Sequence, residues 1–516
     1  MWCWANDLSS MRDRFGDRIG IIDNDGTHSI ADVIDRAAGI ANHLRASGYG
    51  VGDFIATVFH NSALAVAASY AVSLIGAAEV PINPVLSQVE VEHALSCTAA
   101  RVVLADGRAL PVFGLPVPVE DVRQIEKLPY MYRGWPDVEP DAPSRIVFTS
   151  GTTGPAKGAI HTHRGRWTGT LLLRASLPFH PDNRNRILLM TPFSHGSSLL
   201  TFAYLAQGAS VHMMQGVDPA AVLPLLAGGD ITEMFAPPTV LVKLTESAAK
   251  QEFSALRPKL STILTGTAPL TPLAYRNAVE HFGDIIRVTY GKSEIFNPIT
   301  ILESHETSRV YARSTGEGLC VGWPAPGVRI EIRNEDGDVL PRGVSGLIHL
   351  HSQHMFAGYI TRSGMQIFDP ELFHDTGDVG YVDAQGLLYL QARDSDMIKS
   401  GGYKISPHEI EEWLASALPE AELVVLGYPS EYWGEIVTVV AQSPPSDWQE
   451  RLEQAMADMT AYKRPRLFAT VAEIPRNAIG KISRVQLKRW LTENYDFVEK
   501  PKPVFIAKNN AARSDR

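Results

Sequence analysis

The chain has 516 residues, more than one hydrophobic core organises, so at least two domains are expected. A hydrophobic fraction of 45% with 20% charged residues is that of an ordinary soluble globular protein. The formal net charge of −10 argues against nucleic acid or an anionic membrane as the main partner, while leaving room for a local basic pocket.

The N-terminal Met-Trp-Cys-Trp-Ala-Asn-Asp has neither the charged start nor the apolar core of a secretory signal. Cys3, Cys97 and Cys320 are too scattered for a disulfide framework or a metal-ligand pair. A cytoplasmic location is therefore expected. Helical apolar spacing marks Ala31 to Ser47, and Asp53 to Phe59 is a short apolar strand. The apolar stretch Ala63 to Val80 is broken by Ser69, Ser73 and Gly76, which predicts a buried helix over Ser62 to Ile75 and no membrane span. A helix over Gln88 to Ser96 and a strand over Arg101 to Ala105 continue the alternation. That alternation predicts an α/β fold with a largely parallel sheet covered by helices.

From Arg329 to Tyr359 the pattern changes to short strands with turns at Glu335-Asp336-Gly337 and Pro341-Arg342-Gly343, which reads as a small β-barrel subdomain. After Ala392 the chain turns polar and Gly-rich, then resumes as a compact α+β unit with a helix over Pro407 to Ala417. The expected domains are 1–394, large, and 395–516, small and mobile. The residues from Glu499 onward are polar and expected to fray.

The stretch richest in chemistry is Thr149-Ser150-Gly151-Thr152-Thr153-Gly154-Pro155-Ala156-Lys157-Gly158, which follows the apolar Ile146-Val147-Phe148. Glycines let backbone N–H groups approach phosphate oxygens, hydroxyls add donors, and the lysine adds charge. The loop is not a Walker A loop, because Ala156 and Gly158 stand where that motif needs Gly and Ser/Thr. Other clusters carry less. His349, His351 and His354, and likewise His161 and His163, have no acidic or cysteine partners in the sequence nearby, so none is read as a metal site.

This loop resembles the phosphate loop of the adenylate-forming superfamily, which includes acyl-CoA synthetases, peptide-synthetase adenylation domains and firefly-type luciferases. The resemblance runs from about residue 10 to 490, in the family's order. It takes in Gly76-Ala77-Ala78-Glu79-Val80-Pro81-Ile82-Asn83-Pro84, Gly266-Thr267-Ala268-Pro269-Leu270 and Tyr290-Gly291-Lys292-Ser293-Glu294. Thr376-Gly377-Asp378, the segment Ser400-Gly401-Gly402-Tyr403-Lys404 and Pro475 to Lys481 complete the series. One departure is Ala156 where proline is usual, with Pro155 one position earlier.

The resemblance implies an AMP-forming ligase that uses ATP and Mg2+ to make an acyl-adenylate, then transfers the acyl group to coenzyme A. Lys481 would reach the carboxylate and α-phosphate, and Glu294 would help hold magnesium. Thr149, Ser150, Gly151, Thr152, Thr153, Gly154, Lys157 and Ser293 would bind phosphate. Gly266, Thr267 and Ala268 would border adenine, with Tyr290 stacking on it and Gly291 also at the nucleotide. Asp378 and Arg393 would meet the ribose, and Ser400, Gly401, Gly402 and Tyr403 would line the pantetheine path.

Amino-acid-specific relatives place an aspartate where Thr191-Pro192-Phe193-Ser194-His195 has Ser194, so a simple α-amino acid is not the expected substrate. His195 matches the position that borders the acyl site in acyl- and aryl-CoA synthetases. At the domain junction, Ala392-Arg393-Asp394-Ser395-Asp396 puts Ser395 at the family's pivot and Ala392 where glycine is usual. Two readings stay open: neutral drift with Asp394 or Asp396 taking over, or impaired rotation with the chain thioesterifying an acyl-adenylate received from a separate adenylating partner enzyme. A luciferase-like oxygenase and a non-catalytic nucleotide-binding homologue share most of these motifs.

Overall fold

A computed structural model describes residues 4–107, 114–131, 134–149, 156–250, 260–268, 270–295, 298–312, 318–393, 396–400, 403–430, 433–457, 459, 462–476, 482–498 and 503–508. The predicted alternation is realised with boundaries close to those read from spacing. Helix Ile30–Ala46 starts at Ser29, whose hydroxyl accepts the Asp32 N–H while the Asp32 carboxylate accepts the Ser29 N–H, a reciprocal cap. The apolar stretch becomes helix Ala63–Leu74, buried along nearly its whole length. Gly76 then turns the chain at φ +74°, where a β-carbon would also fall 2.5 Å from Val138 Cγ1. Among the described residues no helix is long and apolar enough to cross a membrane.

Two large sheets carry residues up to Arg393. The first has eight strands. Strands Phe54–Val58, Ala78–Ile82, Val102–Ala105, Val119–Asp121 and Pro143–Thr149 run parallel, then Lys157–Thr162, Gly358–Thr361 and Gly364–Ile367 continue antiparallel. The second has thirteen strands. Its parallel centre is Ile19–Asp23, Ser210–Met213, Arg186–Leu189, Glu233–Phe235, Thr262–Thr265 and Ile286–Tyr290. Helices Ile30–Ala46, Ala63–Leu74 and Ser198–Leu205 share one apolar cluster with strands of both sheets.

The short strands expected after Arg329 form an antiparallel wing: Thr300–Leu302, Leu319–Pro324, Leu388–Arg393, His374–Val382, Gly346–His351 and Arg329–Arg333. The wing is continuous with the parallel centre, because Thr300–Leu302 pairs with Ile286–Tyr290. Gly337 and Gly343 adopt the positive φ that the turn signals required.

Beyond Asp396, a five-stranded sheet contains Ile398–Ser400, Tyr403–Ile405, Leu423–Ser430, Gly434–Gln442 and Leu467–Val471. Helix Pro407–Ala415, capped by the Ser406 hydroxyl on the Glu409 N–H, packs on it, and among the described residues the two apolar clusters here draw on none before Ile398. The tail corrects one expectation. Val504–Ala507 is a strand paired with Tyr495–Val498, because Phe505 packs edge-on against Tyr428 and lies against Tyr495 and Phe497. A single aromatic anchor outweighed the polar composition around it.

Candidate functional site

Four of the predicted segments follow parallel strands at their carboxyl ends, where open α/β sheets place their ligands. The phosphate loop follows Pro143–Thr149 and Gly266 to Ala268 follow Thr262–Thr265. The His195 turn comes shortly after Arg186–Leu189, and Gly291 to Glu294 extend Ile286–Tyr290.

On the nucleotide side, Tyr290 is buried and its O–H donates to Asp378 Oδ2. Lys292 donates to the same oxygen at 3.2 Å and to the Thr376 carbonyl. The Asp378 N–H is held by Thr376 Oγ1 at 3.0 Å, and that hydroxyl donates to the Ile348 carbonyl at 2.8 Å. Asp378 also lies opposite Arg393 in the strand register. The structure thus joins Tyr290 to Asp378, 88 residues later in sequence, and to the Arg393 backbone beyond it. At Gly266 a β-carbon would meet the Thr289 carbonyl oxygen at 2.6 Å, so only glycine lets the two strand ends approach. Thr267 has φ +72°, a left-handed conformation unfavourable for a β-branched residue. Strain of that kind collects at ligand loops.

On the phosphate side, Glu294 Oε1 accepts the Tyr359 O–H at 2.8 Å, and the Phe356 N–H donates to the Glu294 carbonyl at 2.8 Å. The Lys157 ammonium lies 5.6 Å from the Tyr359 ring centroid. Tyr359 therefore brings the loop lysine and the predicted magnesium carboxylate to one place. The Ser293 carbonyl is 2.7 Å from His161 Nε2. Burial pushes the imidazoles of His161 and His354 down to about 4, so both are neutral at pH 7. Burial also lowers the His374 imidazole, against the attraction of Glu294.

Among the described residues no group of three or more His, Cys, Asp or Glu could hold a metal. Magnesium at a phosphate site takes one or two protein carboxylates and fills its shell with phosphate oxygens and water. Glu294, whose Oε1 accepts the Tyr359 O–H, is a carboxylate that would fit that role.

The acyl side is built differently. Phe193–Ser197 is a π-helical turn in which His195 breaks the helical angles at φ −121°, ψ −141°. Such turns are costly and recur at functional sites. Here Asn61 clamps the turn, its Oδ1 accepting the Phe193 N–H at 2.7 Å and its Nδ2 donating to the Thr191 and Met214 carbonyls at 2.9 Å. Beneath it Arg145, fully buried, donates to Glu79 at 2.5 Å and reaches the Phe193 carbonyl at 3.3 Å and Ser198 Oγ at 3.2 Å. A second buried arginine, Arg166, shares Ser69 with that pair and lies between the rings of Trp4 and Phe202. Burial pushes the Arg166 guanidinium down to about 10, with Arg145 adding to the shift and Glu79 opposing it. Ser194 is buried, and its hydroxyl has no partner among the described residues.

Ser400 and Tyr403 pair across a hairpin of the five-stranded sheet, with Ser400 buried and Tyr403 exposed and stacked on Tyr462 at 4.2 Å. Ser150, Gly151, Thr152, Thr153, Gly154, Asp394, Ser395, Gly401, Gly402 and Lys481 lie outside the described residues, as do the side chains of Thr149 and Arg393. Tyr359, Asn61, Arg145 and Lys292 were missed as site residues. Lys292 stood inside a quoted motif, and Arg145 betrayed itself as a charge within an apolar strand.

Residues 10–360 match the family model described as AMP-binding enzyme. The chain is 29% identical to the long-chain-fatty-acid–CoA ligase FadD13 of Mycobacterium tuberculosis, over 88% of this chain and 90% of that one. It is 28% identical to a 2-succinylbenzoate–CoA ligase of Geobacillus, over 93% and 96% of the two chains. Among solved structures, o-succinylbenzoate CoA synthetase from Bacillus subtilis in complex with its acyl-adenylate superposes with a TM-score of 0.79 at 25% identity, covering 94% of this chain and 98% of that one. With the motifs seated at the strand ends as described, the chain belongs to the family of AMP-binding enzymes, in the branch of the acyl-CoA ligases.

Proposed function

We propose that this chain is a complete acid–CoA ligase, performing adenylation and thioesterification on one carboxylic acid that is not a simple α-amino acid. The observation that carries the reading is the meeting of Lys157 and Glu294 on Tyr359, next to the Asp378 cluster. A carboxylate is a poor electrophile, and its attack on the α-phosphate of ATP gathers negative charge in the transition state. Fixed cations and donors aimed at that charge are the main source of rate.

In this reading the loop from Thr149 to Lys157 and Ser293 hold the phosphates, and Asp378 takes the ribose hydroxyls. Lys481 binds the reacting carboxylate and α-phosphate. Magnesium, held by Glu294, supplies charge neutralisation between phosphates. The buried Ser194 hydroxyl supports the exclusion of amino acids, because it offers an α-ammonium no countercharge. The residues from Ser395 onward act as a second domain that turns about the 394–395 junction to bring Ser400 to Tyr403 to the pantetheine thiol. The resulting acceptor is free CoA.

The test is a pair of assays on purified protein, one for ATP–pyrophosphate exchange with fatty, aryl and polycyclic acids, the other for thioester formation from synthetic acyl-adenylates. Both activities with the same acid support the proposal. Thioester formation without exchange favours the reading in which Ala392 and Ser395 impair rotation and an adenylating partner supplies the intermediate. Oxygen-dependent light emission would point to a luciferase-like oxygenase.

A further inference from the structure

The third residue of Tyr290-Gly291-Lys292-Ser293-Glu294 has no role in the reading above, yet its side chain is only 9% exposed. Removing an ammonium from water is costly, and a loop lysine with no structural task extends into solvent. Lys292 instead folds against the His374–Val382 strand, donating to the Thr376 carbonyl and to Asp378 Oδ2. Tyr290 O–H donates to that same oxygen. The carboxylate is thereby held by two donors converging on one oxygen, with its own backbone N–H fixed by Thr376 Oγ1.

We propose that Lys292 is a positioning residue for nucleotide recognition, which orients the Asp378 carboxylate so that it can accept the hydroxyls of the nucleotide sugar. The inference rests on the reading of Asp378 as the sugar acceptor and goes beyond it. The physical reason is direct. A carboxylate whose Oδ2 is engaged by both the Tyr290 hydroxyl and the Lys292 ammonium has its plane set before the sugar arrives.

The test compares binding of ATP and of 2′,3′-dideoxy-ATP by calorimetry, using the full-length wild-type protein and the variants Asp378→Ala, Lys292→Met, Lys292→Gln and Lys292→Arg. The ratio of the two affinities within one protein reads the sugar hydroxyls alone, so a general loss of folded material cancels. Wild type should prefer ATP, and Asp378→Ala should lose most of that preference. Lys292→Met should lower it by about tenfold, the scale of a hydrogen bond to a charged group, with Lys292→Gln similar and Lys292→Arg restoring part. A full preference retained in Lys292→Met and Lys292→Gln, alongside its loss in Asp378→Ala, overturns the role of Lys292 and leaves that of Asp378 standing. No preference in the wild type, or an unchanged one in Asp378→Ala, overturns the reading of Asp378 and the inference with it.

Discussion

The nucleotide side and the acyl side of this site are held by different means. Around Asp378 the holding groups sit inside recognisable motifs: Tyr290 and Lys292 belong to one, Thr376 and Asp378 to another, and the fold brings the two together. Around His195 the turn near residue 193 is held from outside those motifs, by Asn61 and by Arg145, with Glu79 pairing with Arg145 behind it. The nucleotide is the same in every turnover, so its contacts can be fixed in short stretches of chain. The acid differs from one ligase to another, and a turn supported from below can be reshaped without disturbing the phosphate machinery.

The largest effect expected from breaking this contrast is on the acyl side. Arg145→Ala strands the Glu79 carboxylate in the core and should cost about 3–5 kcal/mol, read as a lowered chemical-denaturation midpoint. The double change Glu79→Leu with Arg145→Met should recover most of that stability while raising the KM for the acid, because the Phe193–Ser197 turn loses its support. A stable double variant with unchanged acid KM would detach the buried pair from the acyl site.

On the nucleotide side, Lys481→Ala should slow adenylation by roughly 10²–10³-fold, the size of one transition-state electrostatic partner, with little change in stability. Near-normal pyrophosphate exchange by that variant would remove Lys481 from the chemistry. Stability should also depend on pH. His161, His163 and His354 are held at about 4 by burial, whereas their unfolded counterparts titrate near 6.5. The unfolded chain therefore binds protons first, so stability is full above about 6.5 and falls as pH drops toward 4, by up to about 3 kcal/mol per histidine. Denaturation midpoints between pH 7.5 and 4.5 check the sign. Tyr359→Phe should have the smallest effect. It removes one hydrogen bond to Glu294 but keeps the ring under Lys157, so a loss of about 1 kcal/mol, visible as a higher magnesium requirement, is expected.

The same contrast explains what the sequence disclosed. The parallel alternation, the buried Ala63–Leu74 helix and the strand-end loops were legible, because apolar period and turn residues encode them locally. Tyr290, Glu294 and Asp378 were legible as motif members, and the structure adds that Tyr290 spends its hydroxyl on Asp378. Tyr359 and Asn61 were not legible, since a single tyrosine in a strand and a single asparagine before a helix look like ordinary surface and cap residues. The Val504–Ala507 strand was missed because its pairing depends on an aromatic cluster assembled from distant segments.

The most direct test of the account is ATP–pyrophosphate exchange and CoA thioester formation measured on the same preparation with the same acid. The account predicts that one acid class supports both, with exchange abolished in Lys481→Ala. Thioester formation from acyl-adenylates with no exchange for any acid would contradict it, and would make this chain the second half of a reaction begun elsewhere.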